Sequence, residues 1–343
     1  MNYYNTLTYE NELIEIVEKR QTFFNNKRIL VSGARGMLGS MFIDAMMLLN
    51  RKYGSNIKIY AVTRNKKLAE ERFIRHIDDN HFNIFFADIN KDKIKIDEDI
   101  DFVVHGASNT HPFLYSGKPI ETILTNVAGT NNLLEFAVKH RCKRFLFLSS
   151  VEVYGENRGD CEKFKEDYCG YINSNTMRAG YPESKRTGET LCQAYIKEYG
   201  LDSGILRLAR CYGPGILQND SKALSQFIHR AKEKRDIILK SEGKQEFSYV
   251  YQADVVDAMC YFLQFGISGE CYNVTGKDSD VSLKDLAEKI ADMSGVLVKY
   301  ELPDKNEAAG YSMATKAVLD GRKAETIGWT AVYPIWEGIK RSL

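Results

Sequence analysis

The stretch KRILVSGARGMLGSMFIDAMML, residues 27–48, constrains the fold of this chain more than any other. A short apolar run reads as a buried strand, and the longer apolar pattern behind it reads as a helix. Between them Gly33, Gly36 and Gly39 stand in the order G-x-x-G-x-x-G. The first glycine permits a tight turn, the second lets backbone approach a pyrophosphate, and the third lets the helix pack closely on the strand. A helix N-terminus placed there faces an anion with its free N–H groups. The triplet opens the first strand–helix unit of the chain, where a dinucleotide site belongs.

The rest of the chain continues the alternation. IKIYAVTR, NIFFADI, IDFVVHGAS, KRFLFLSSVEVYG and LDSGILRLARCYGP read as further strands, with the helix-like ETILTNVAGTNNLLEFAVKH among them. Short apolar runs separated by helical stretches predict βαβ units, an α/β fold and a parallel sheet. Beyond residue 210 the pattern loosens into mixed helices and short strands, which suits a substrate lobe. Residues 9–25, with Leu13, Ile14, Ile16 and Val17 as apolar positions, predict a helix that caps the domain or meets another subunit. The expected division is a helical extension over 1–26, a dinucleotide-binding domain over 27–208 and a substrate lobe over 209–343. Within that lobe about 247–275 returns to the first domain.

Charge and cysteine usage narrow the partners. A net charge of +1 gives no reason to expect nucleic acid or a membrane surface. Seven cysteines without a C-x-x-C pair indicate neither a zinc site nor a disulfide framework, and no metal is expected. No apolar run approaches the ~20 residues of a membrane span, and the N-terminus lacks the apolar core of a signal peptide. A soluble, cytoplasmic protein is expected.

Side chains at the predicted strand ends carry the chemistry. The second strand ends Thr63-Arg64-Asn65 where an acidic residue would accept the ribose hydroxyls of NAD, and the glycine loop holds Arg35. Both arginines suit the 2′-phosphate of NADP, so residue chemistry leans to NADP. Asp88, after the third strand, is placed to contact adenine. SSVEVYG puts Ser149, Ser150 and Glu152 at the carboxyl edge of the sheet, where parallel α/β proteins bind ligands. Of twenty tyrosines, Tyr181 alone has a lysine four residues on, Lys185, at the start of a helical stretch that Pro182 helps to begin. An ammonium there favours tyrosinate, drawing the phenol down from about 10 towards a working base. Ser150 is placed to hold a substrate hydroxyl.

These segments together resemble the extended short-chain dehydrogenase/reductase superfamily, and within it the NAD-dependent epimerases, dehydratases and decarboxylases of nucleotide sugars. The likeness covers roughly residues 27–340 and rests on the glycine loop, HGAS, TNVAGTNNLLE, SSVEVYG, YPESK, CYGPG, FSYVYQADVVDAM, YNVTG and IGW. EDYCGYINSNTMRAGYPESKRTGETLCQAY and SNTHPFLYSGKPIETILTN are similar to the UDP-glucuronate decarboxylases. The resemblance implies a Rossmann-type doubly wound parallel sheet with a smaller C-terminal substrate-binding lobe. It implies a nucleotide-diphosphate sugar oxidised at C4, with Tyr181 as base, Lys185 on the nicotinamide ribose and Ser150 polarising the hydroxyl. Met37, Leu38, Ile89, Ala107, Ser108 and Asn126 would line the cofactor with the glycines, and here the resemblance leans to NAD. Ser108 and Arg178 would also serve the substrate, and Glu152 would be a second acid/base. Relatives pair two helices into a homodimer interface. Leu133, Leu134, Phe136, Leu191, Ala194 and Tyr195 offer apolar surface for that pairing, or equally for the protein's own sheet.

The chain also departs from its relatives. Ala317, beside Lys316, stands where the decarboxylases carry an arginine, and Val151-Glu152 stands where the dehydratases carry Asp-Glu. Gln245-Glu246 replaces the arginine that grips the diphosphate, while Arg210 replaces an asparagine and can reach the diphosphate or a sugar carboxylate. A 4-epimerase, which needs Ser150, Tyr181 and Lys185, is therefore the leading expectation. A UDP-glucuronate decarboxylase-like enzyme and an NADPH-dependent 4-ketoreductase are the alternatives, with a non-catalytic binding protein of the same fold behind them.

Overall fold

The computed structural model describes residues 3–110, 117–301 and 315–343. Chain order begins with α1 (Leu7–Val17), β1 (Arg28–Ser32), α2 (Met37–Tyr53), β2 (Lys58–Thr63), α3 (Lys66–Arg72), β3 (Phe82–Phe86) and β4 (Phe102–His105). It continues through α4 (Pro119–Lys139), β5 (Arg144–Ser150), α5 (Gly180–Tyr199), β6 (Ser203–Leu208), β7 (Arg210–Tyr212), α6 (Ala223–Lys232) and β8 (Ile237–Leu239). The last third holds β9 (Glu246–Tyr251), α7 (Gln252–Phe265), β10 (Cys271–Val274), β11 (Asp280–Ser282), α8 (Leu283–Ser294), β12 (Val298–Tyr300), β13 (Lys316–Ala317) and α9 (Ile335–Ser342).

Seven strands pair in parallel in the order β10-β6-β5-β4-β1-β2-β3. Successive side chains of a strand point to opposite faces, so each central strand feeds two cores. Ile29 and Val31 pack with Phe42 and Met46 of α2, whereas Leu30 packs with Leu133 and Leu134 of α4. The strand order reverses between β1 and β4, which opens a crevice beyond their carboxyl ends. A smaller sheet, β11-β9-β13 with β7 on β9, and the pair β12-β8 lie among the C-terminal elements, while β10 joins the main sheet. Among the described residues no helix is long and apolar enough to cross a membrane.

Local departures from the sequence reading have physical causes. The helix expected over 9–25 stops at Val17, because Arg20 turns back to the Ile16 carbonyl (2.8 Å) and to Asp257 (2.5 Å). A 3₁₀ turn and the short helix Gln21–Phe24 follow. LDSGILRLARCYGP, one strand by pattern, divides at Ala209, with β6 in the main sheet and β7 in the smaller one. Leu133, Leu134 and Phe136 are buried in the subunit's own core, and Leu191 and Tyr195 pack against it. The exposed apolar residues of α4 are instead Ile120, Ile123 and Leu124.

Candidate active site

The glycine loop forms at the mouth of the crevice. Gly33 has φ +68°, and a Cβ on it would lie 2.7 Å from the backbone of Gly106 and Ala107. A Cβ on Gly39 would lie 2.6 Å from the Gly33 carbonyl. Backbone therefore meets backbone, and Gly36, the N-cap of α2, adds no side-chain bond over the helix end. Met37 and Leu38 follow, half-buried, and Arg35 makes no ion pair among the described residues. Across the crevice the Ser108 hydroxyl and the Asn126 side-chain carbonyl are buried without partners. Buried polar atoms without partners cost stability unless a ligand satisfies them, so these groups fit a polar cofactor.

Tyr181 and Lys185 occupy the first two turns of α5 and are buried. The helix approaches β5 closely, since a Cβ on Gly188 would lie 2.6 Å from the Phe147 ring. Lys185 Nζ donates to the Leu148 carbonyl at 2.8 Å and lies 4.7 Å from the centre of the Phe147 ring. Burial pushes the ammonium down to about 8, opposed by the Glu189 carboxylate one turn further along. Asn126 Nδ2 donates to Ser184 Oγ (2.9 Å), which donates to the Tyr181 carbonyl (2.8 Å), so α4 fixes the start of α5. Ser150 caps the turn Val151–Tyr154, its Oγ accepting the Glu152 N–H at 3.3 Å.

Behind the couple lies a network that sequence reasoning missed. Ser149 Oγ donates to Glu189 (2.5 Å), and Arg207 holds both oxygens of that carboxylate, the closest contact being 2.7 Å. The i, i+4 spacing of Lys185 and Glu189 was its visible signal. His105, fully buried between Ser32 and Thr130, is pushed down to about 3 by burial and by Lys185, and so stays neutral.

Beyond the carboxyl end of β5, Arg178 donates to Glu152 at 2.9 Å, and Arg210 approaches the other oxygen at 4.0 Å. Arg210 stacks on Phe247, 3.7 Å from the ring centre, with its Nε buried and unpartnered. The predicted residues Ser150, Glu152, Arg178 and Arg210 thus gather around one strand end. Arg64 is half-exposed and paired with Glu121 of α4 (2.6 Å), and Asn65 caps α3. Asp88 accepts the Asn90 N–H (3.1 Å), and Ile89 is buried with its carbonyl bonded to Asn132. Ala107 is half-buried beside Ser108. Gln245 accepts from Ser241 (3.3 Å), Lys316 lies 3.8 Å from Glu246, and Ala317 is buried. The segment SNTHPFLYSGKPIETILTN includes residues 111–116, which lie outside the described residues.

Comparison with known proteins agrees with this geometry. UDP-glucuronic acid decarboxylase 1 of Xenopus tropicalis is 29% identical over 322 residues, covering 93% of this chain and 72% of the relative. UDP-glucuronic acid decarboxylase 3 of Arabidopsis thaliana is 27% identical over 317 residues, covering 92% and 87%. The structure of UDP-glucuronic acid 4-epimerase from Bacillus cereus, in complex with UDP-glucuronic acid and NAD, matches with a TM-score of 0.77 at 24% identity. That match covers 92% of this chain and 97% of that one. Epimerase Mth375 of Methanothermobacter thermautotrophicus matches with a TM-score of 0.81 at 17% identity, covering 96% and 94%. The structural likenesses show the fold. A family model spans residues 29–275, from β1 through β10, and by that match the chain belongs to the NAD dependent epimerase/dehydratase family.

Proposed function

We propose that this chain is an NAD(P)-dependent enzyme acting on a nucleotide-diphosphate sugar through oxidation and reduction at C4, as a 4-epimerase. One observation carries the reading. Lys185, buried one turn from Tyr181, is bonded to the carbonyl of Leu148, two residues before Ser150 on the same strand end. That bond holds the helix carrying Tyr181 and Lys185 against the strand that ends in Ser150.

The Gly33–Gly39 loop and Arg35 would hold the pyrophosphate, Asp88 and Ile89 the adenine end, and Ala107, Ser108 and Asn126 the inner half. A nicotinamide held by these residues would supply reversible hydride exchange at the sugar's C4, open to either face of the ring. Tyr181, as tyrosinate, takes the proton of the C4 hydroxyl and later gives it back. Lys185 stabilises the tyrosinate and reaches the ribose, and Ser150 orients the reacting oxygen. Proton and hydride both return, so the sugar changes configuration without net oxidation. Arg178 and Arg210 face the substrate's anionic groups, with Glu152 between them as the second acid/base. We place the enzyme in the cytoplasm as a homodimer formed through the outer faces of α4 and α5.

Decarboxylation is the second reading, favoured by the 27–29% identity to UDP-glucuronic acid decarboxylases over nine-tenths of the chain. Incubation with UDP-glucuronic acid and NAD⁺ separates the two. UDP-galacturonic acid marks the epimerase, and carbon dioxide with a UDP-pentose marks the decarboxylase. No product from this or from a panel of neutral nucleotide hexoses would refute both. Tyr181→Phe is expected to cut turnover about a thousandfold with cofactor affinity retained. Unchanged turnover would remove Tyr181 from the mechanism.

A further inference from the structure

The segment ahead of β1 lies outside the family match, yet it reaches the glycine loop. Tyr3 Oη donates to the Glu12 carboxylate at 2.5 Å, and Gln252 Nε2 donates to Tyr3 Oη at 3.0 Å. The other end of the Gln252 amide accepts the backbone N–H of Gly215 at 3.0 Å. A Cβ on Gly215 would lie 2.8 Å from Gln252 Oε1, 3.1 Å from Met37 Cγ and 3.4 Å from Tyr4 Oη. Met37 is the first residue of α2, directly after Gly36. The Gly213–Gly215 turn follows β7, the strand that brings Arg210 towards Glu152.

The anchor behind these contacts is firm. Glu12 is fully buried and also accepts from Tyr251 (2.8 Å) and Arg341 (3.2 Å). A second grip lies two turns along α2, where Tyr9 donates to Asp44 at 2.5 Å. Arg72 reaches the same carboxylate at 2.6 Å, and its guanidinium stands 3.9 Å over the Tyr4 ring. One N-terminal segment therefore holds the phosphate-loop helix at its head and along its flank. A phosphate cradle works through backbone N–H groups, and its affinity depends on holding them to within about half an ångström.

We propose that Tyr3, acting through Gln252, together with Tyr4 beside Gly215, forms a positioning clamp that fixes the Gly213–Gly215 turn against the head of α2 and thereby sets dinucleotide affinity. The proposal rests on the reading of Gly33–Gly39 as the cofactor's cradle. The test leaves intact the buried core residues of this extension, Tyr9, Leu13, Ile16 and Val17, and Tyr3→Phe keeps the ring that packs against them.

The test compares full-length wild type with Tyr3→Phe, which loses one hydroxyl, and with Gly215→Ala, whose Cβ strikes Gln252 Oε1. Calorimetric titration with NAD⁺ and with NADP⁺ gives the affinities, and thermal melts report folding. Both variants are expected to melt cooperatively near the wild-type temperature and to bind the preferred dinucleotide about tenfold more weakly. Affinity equal to wild type in both variants overturns the clamp. Loss of the cooperative melt along with affinity assigns the contacts to folding and overturns it as well. Wild type that binds neither dinucleotide overturns the cradle reading itself, and the clamp falls with it.

Discussion

Burial lowers the Lys185 ammonium, and the proposed reaction would take its pH dependence from that shift. The ammonium has lost its water, and its bond to the Leu148 carbonyl and the nearby Glu189 make up part of the loss. Its folded value of about 8 lies below the ordinary lysine value, so the charge is present below about pH 8 and is lost above it. In the proposed reaction a neutral Lys185 would no longer support tyrosinate at Tyr181. Turnover is therefore expected to fall as pH rises through about 8, and Glu189→Gln should move that limb to lower pH. A pH–rate profile from about 6 to 10 checks both, and a profile flat to the alkaline end would remove the Lys185 charge from the rate.

At the scale of elements, β5, α5 and β6 are joined by one buried polar junction, Ser149–Glu189–Arg207. Removing one member of a buried ion pair leaves the other uncompensated, so Glu189→Ala should cost about 3–5 kcal/mol in urea denaturation. The double substitution Glu189→Met with Arg207→Met, which buries no charge, should recover most of that loss. If the single variant is as stable as wild type, the junction does not hold these elements together. This junction also marks the limit of what the sequence discloses. Strands and helices were legible because burial on two sheet faces demands apolar runs of fixed period, and the glycine loop because backbone contact excludes side chains. Tyr181 and Lys185 stood out as a candidate pair because their spacing is local, one helical turn. Arg207 joins Glu189 across eighteen residues and two elements, and no periodicity announces such a pair. The Arg64–Glu121 pair was hidden for the same reason: the residue chemistry of Arg64 is visible in the chain, but its carboxylate partner comes from α4. The apolar stripe of α4 was visible, but whether it faced a sheet or a second subunit depended on the placement of α5.

At the scale of the whole molecule, the N-terminal extension is tied to the main sheet's helices at Asp44, where α1, α2 and the end of α3 meet in the interior. Tyr9 from α1, Arg72 from the end of α3 and His76 beyond it all reach this one carboxylate of α2, at 2.5, 2.6 and 2.6 Å. Burial alone would raise the Asp44 carboxyl, but the His76 bond and the Arg72 charge outweigh it and hold the group at about 2. A carboxylate lowered in the folded state stabilises fully above its unfolded value, 3.8, and loses that contribution as pH falls through about 2. Asp44→Asn keeps the shape and removes the charge, leaving Arg72 buried without its counterion. At neutral pH it should destabilise by about 3–5 kcal/mol. The gap between wild type and variant should then narrow steadily below about pH 4, because wild type must protonate the group that the variant lacks. Urea titrations from about pH 7 down to 3 measure the gap directly. A gap that stays constant over that range would mean that Asp44 acts through shape and hydrogen bonding alone. Narrowing would identify its charge as the link between the N-terminal extension and the dinucleotide-binding sheet.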